Sequence, residues 1–132
     1  MDDVSARMTD VDVTGDHLVV RLRGWAALVA FRRTLRIPVD HVRGVVVQHR
    51  DRVPAIGFHF PGLAVPGLLY AGAFGFGDER SFWHVRRASH VLRVECQPGA
   101  EFRRIVLEVD DPTAAARRLR PTVGAYVPPE SI

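Results

Sequence analysis

Apolar and polar residues alternate with period two through most of this 132-residue chain, the pattern of β-strands with one covered face. From His17 to Arg23, Leu18, Val20 and Leu22 fall on one side and Val19, Arg21 and Arg23 on the other. The same reading predicts strands over 34–37, 42–48, 67–74, 81–86, 91–96 and 103–109, seven in all. Gly24 interrupts the first strand, and Trp25 to Phe31 has the spacing of a short helix. The last strand gives way to a different period. Asp110 or Asp111 can cap a helix that begins at Pro112, where a missing N–H costs nothing, and Pro121 is expected to stop it. Leu18, Val20, Leu22, Leu35, Ile37, Val45, Leu92, Val94, Ile105, Leu107 and Leu119 are the expected core.

This length fits one domain, and 47% hydrophobic with 25% charged residues excludes disorder and disulfide-scaffold classes. The expected organisation is an acidic segment over 1–16, a domain over 17–120 and a tail over 121–132. The first segment carries five aspartates against Arg7 alone, and an acidic start with no apolar core does not resemble a secretory signal. A cytoplasmic protein is the expectation, with a location peripheral to a membrane as the alternative. The single cysteine, Cys96, alternates with Leu92 and Val94 and reads as a buried small hydrophobe.

Val53 to Gly77 holds no Asp, Glu or Arg over 25 positions. Three prolines and six glycines there would break any membrane-spanning helix, so no transmembrane segment is expected. A loop so poor in charge needs covering. Ile56, Phe58, Phe60 and Leu63 are therefore the expected contacts for a protein partner or a second copy.

All 18 basic residues are arginine, the side chain suited to bidentate anion recognition. A solvated outer face is the simpler reading of most of them. Arg21, Arg23, Arg32, Arg33 and Arg36 form the one cluster that could bind an anion. The basic residues are not interleaved with aromatics, so no nucleic-acid partner is expected. Catalysis lacks a signature: the four serines stand in no nucleophile elbow, and the six histidines form no i, i+4 pair. No enzyme, catalytic residue, cofactor or metal is expected. A pocket assembled from Tyr70, Trp83 and His84 is the only enzymatic alternative.

Three stretches carry a resemblance: Leu35 to Val45 with its Pro38 turn, Pro66 to Gly72 with the following Phe82-Trp83-x-Val85, and Arg104 to Pro112. Together they resemble the pleckstrin-homology (PH)-like proteins of high-GC bacteria, over roughly residues 17–120. The resemblance implies an all-β fold with one C-terminal helix, a PH-like seven-stranded bent-sheet barrel capped by that α-helix. It also implies a binding or assembly module, with the arginine cluster in the region where lipid-binding members hold an anionic headgroup. The lysine-containing basic motif of those members is absent.

Overall fold

The computed structural model describes residues 9–23, 34–53, 59–65, 69–75 and 77–129. Nine strands and one α-helix are found among them: β1 (Thr9–Thr14), β2 (His17–Leu22), β3 (Thr34–Pro38), β4 (Val42–His49), β5 (His59–Val65), β6 (Leu69–Phe74), β7 (Ser81–Val85), β8 (His90–Cys96), β9 (Arg104–Leu107) and α1 (Pro112–Val123). The described residues are thus mostly β with one C-terminal helix. The strands form a three-stranded sheet, β1-β2-β3, and a six-stranded sheet, β4-β8-β9-β7-β6-β5, with no closed barrel among the described residues.

Two strands go beyond the expected seven. β1 lies inside the segment read as an acidic extension before the domain, and it pairs with β2 through the two-residue turn Gly15-Asp16, where Gly15 supplies a φ of 64°. β5 lies inside the stretch read as a loop. The order is not a simple meander either. β9 inserts between β8 and β7, pairing antiparallel with the first and parallel with the second. The helix also runs past Pro121 to Val123, ending at Gly124 with its N–H on the Arg120 carbonyl. The expected helix over Trp25 to Phe31 lies outside the described residues.

One core joins both sheets and the helix. Leu18, Val20, Leu22, Leu35 and Ile37 from the small sheet meet Val45, Leu92, Val94, Ile105 and Leu107 from the large one, with Ala115, Ala116 and Leu119 of α1 against them. All eleven residues expected in the core are buried. Asp111 starts the helix by accepting the Ala114 N–H at 3.0 Å. Truncating Leu119, which is 1% exposed, would cost about 2–5 kcal/mol.

Strands β7, β8 and β9 of the large sheet are buried on both faces, and here the one-wet-face reading fails. Trp83, Val85, Val91 and Val106 form a second apolar cluster with Val53 and Phe74. Val106 and Arg93, which alternate with the core residues Ile105, Leu107, Leu92 and Val94, are both 0% exposed. Alternation marks which side chains share a face, and a polar residue does not make that face wet.

Candidate functional site: the edges of the six-stranded sheet

An open sheet ends in two rows of backbone N–H and C=O groups able to pair with another strand. In the large sheet those rows belong to β4 and β5. They are finished differently.

At β4 the chain closes its own edge. The segment after α1 runs parallel to the strand, with Val45 N–H donating to the Gly124 carbonyl at 3.0 Å and Tyr126 N–H donating to the Val45 carbonyl at 3.1 Å. Gly44 makes the approach possible, since a Cβ there would stand 2.6 Å from the Ala125 carbonyl carbon. The Tyr126 ring lies under two guanidinium groups, 5.6 Å from Arg43 and 5.2 Å from Arg93.

Arg93 also belongs to a buried polar network. Arg93 donates from Nε to Glu95 Oε1 at 3.1 Å and from Nη1 to Gln48 Oε1 at 2.9 Å, while Arg104 Nε reaches the same Glu95 oxygen at 3.2 Å. Two guanidiniums share one carboxylate. Removing a partner from such a group leaves a buried charge uncompensated.

At β5 the finish is sparse. β5 pairs with β6 from Gly62↔Gly72 to Val65↔Leu69, and a register shift between His59 and Gly62 brackets Pro61. A bulge and a proline are edge devices, but they occupy one end only. No Asp, Glu or Arg lies in the strand, and among the described residues no strand lies on its outer side. Of the expected partner contacts, Phe60 and Leu63 are β5 residues, whereas Ile56 and Phe58 lie outside the described residues.

The arginine cluster is divided. Arg21 and Arg23 line a cleft of about 530 Å³ between β1, β2 and the start of α1. Asp10, Asp12, Asp110 and Asp111 line it too, with Arg118. Arg23 donates from Nε to Asp10 Oδ2 at 2.7 Å, and Arg118 Nη2 donates to the Val11 carbonyl at 2.6 Å, tying the helix to β1. Arg36 lines a separate cavity of about 230 Å³, bounded by Leu35, Ile37, His41, Phe102 and Ile105. Arg32 and Arg33 lie outside the described residues.

Tyr70, Trp83 and His84 do not converge. The Tyr70 and Trp83 rings meet at 5.6 Å, tilted by 56°, in the second apolar cluster, while His84, next in sequence, faces the small sheet and meets Thr9 Oγ1 at 3.1 Å. His84 Nε2 is buried without a hydrogen-bond partner. Burial pushes this imidazole down to about 4, against a smaller opposing pull from Glu108, so it is neutral at pH 7. Burial, with Glu95 adding to it, pushes the Cys96 thiol up to about 12, which makes it a poor nucleophile. Among the described residues no group of three or more His, Cys, Asp or Glu could hold a metal ion, and no helix is long and apolar enough to cross a membrane. Compared with protein-family models, curated proteins and solved structures, the chain matches none.

Proposed function

We propose that this chain is a non-enzymatic binding module that self-assembles through β5, the edge strand of its six-stranded sheet. The observation that carries the reading is the absence of charge from an edge with no strand beside it among the described residues. Edge strands that stay single are commonly protected by charged side chains, above all lysine. The stretch Gly62 to Val65 pairs regularly with β6 and carries no such residue.

A second copy is the occupant that the charges favour. The chain bears a formal net charge of +3, so two copies repel weakly everywhere except where charge is missing. Two β5 strands related by a twofold axis would meet antiparallel without placing like charges opposite each other, and the two sheets would become continuous. Light scattering over a concentration series tests this. Mass rising toward that of a dimer supports it, and a strict monomer at high micromolar concentration contradicts it.

The PH-like resemblance belongs to this proposal as well. Support comes from a strand-rich chain closed by one amphipathic C-terminal helix; the insertion of β9 between β7 and β8 is a departure from successive neighbours. Binding of an anionic headgroup or small phosphorylated ligand at the arginines is the weaker proposal, because an anion approaching Arg21 and Arg23 also meets four carboxylates.

A further inference from the structure

We propose that the β4 edge is an acceptor site for an extended peptide of a partner protein, and that the chain's own C-terminal segment occupies it as a stand-in. The favoured partner segment runs parallel to β4 and carries a tyrosine that meets Arg43 and Arg93.

The own tail shows what the edge recognises. Ala125 sits against Val45 with backbone bonds of 3.0 and 3.1 Å on either side of it. The missing Cβ of Gly44 leaves room for the Ala125 and Tyr126 backbone to come this close. The next residue then offers its ring to Arg43 and Arg93. An extended backbone carrying a tyrosine is therefore what this part of the edge accepts.

The tail leaves the rest of β4 unpaired. β4 extends through His49, yet among the described residues its outer edge is bridged at Val45 alone. Pro128 and Pro129 explain the early end, since neither has an N–H to give. A parallel strand continues in the direction of β4, toward a depression of about 610 Å³ lined by Val47, Gln48, His49, Asp51, Arg52 and His90. A partner strand without the two prolines makes every contact of the tail and further backbone bonds beyond it. Length of pairing is what lets it displace a tethered competitor.

The test uses the full-length chain and fluorescein-labelled peptides with the sequence of residues 122–130, one natural and one with threonine and valine in place of the two prolines. Anisotropy is expected to show the proline-free peptide binding at least tenfold tighter than the natural one, and losing tenfold when its tyrosine becomes alanine. A full-length Tyr126→Ala chain, its own tail weakened, is expected to bind the proline-free peptide about tenfold tighter than the unaltered chain. Equal binding of the two peptides overturns the proposal, as does binding indifferent to the peptide tyrosine. Should Tyr126→Ala fail to fold, the peptide series on the unaltered chain decides alone.

Discussion

The two edges of the six-stranded sheet solve one problem in opposite ways. At β4 the chain supplies a glycine, a returning segment and a tyrosine under two arginines, all resting on a buried charge network. At β5 it supplies a bulge, a proline and no charge at all. An edge covered by its own chain needs close backbone approach and a specific anchor. An edge shared with an identical strand needs neither, because self-pairing asks chiefly that nothing repel.

Breaking the foundation of the β4 edge has the largest expected effect. Arg93→Ala leaves Glu95 to Arg104 alone and strips Gln48 Oε1 of its donor, at an expected cost of about 3–5 kcal/mol in urea unfolding. Arg93→Met, similar in volume but uncharged, separates lost packing from lost charge.

Acid weakens the whole core and so serves as a control. The folded His84 titrates at about 4 against an ordinary 6.5, so above pH 6.5 both states are neutral there and nothing changes. As pH falls from 6.5 to 4 the unfolded chain takes up a proton that the fold refuses. Stability then drops by about 3 kcal/mol below the lower value. Denaturant melts at pH 7 and pH 4.5 measure this, and His84→Leu is expected to flatten the dependence.

Gly44→Val perturbs the covered edge by itself. The new side chain meets the Ala125 backbone, with an expected loss of about 2 kcal/mol and faster amide exchange at Val45 and Tyr126. β5 exchange is expected to stay unchanged.

The smallest effect on stability falls at β5. Ala64→Lys brings a charge to the bare edge. Self-association is expected to weaken at least tenfold in sedimentation equilibrium, with the unfolding midpoint of the single chain nearly unaltered.

Much of this fold was legible as alternation. Strand faces carrying Leu18, Val20, Leu92, Val94, Ile105 and Leu107 follow from period two, and the helix start follows from Asp111 before Pro112. β1 was missed although its signal is local: Val11 and Val13 alternate with polar residues, and Gly15-Asp16 is a two-residue turn. Its aspartates masked that pattern by suggesting a solvated extension. β5 was hidden for the opposite reason, because Pro61 and Gly62 read as a loop while the strand forms around a bulge. Burial of Arg93 could not be foreseen from spacing, since its partner Gln48, and the Arg104 that shares Glu95 with it, come from neighbouring strands. For the same reason the arginine cluster separated: Arg21 and Arg23 line one cavity and Arg36 another. Tail docking had one sequence trace, Gly44 within a valine-rich strand, which reads as a bulge or as a site of close backbone approach.

Hydrogen exchange followed at low and high micromolar concentration tests the difference between the edges most directly. The account predicts that amides of residues 62–65 gain protection as concentration rises, while the amides of Val45 and Tyr126, bonded within one chain, exchange at the same rate throughout. Protection of residues 62–65 that does not change with concentration would contradict it.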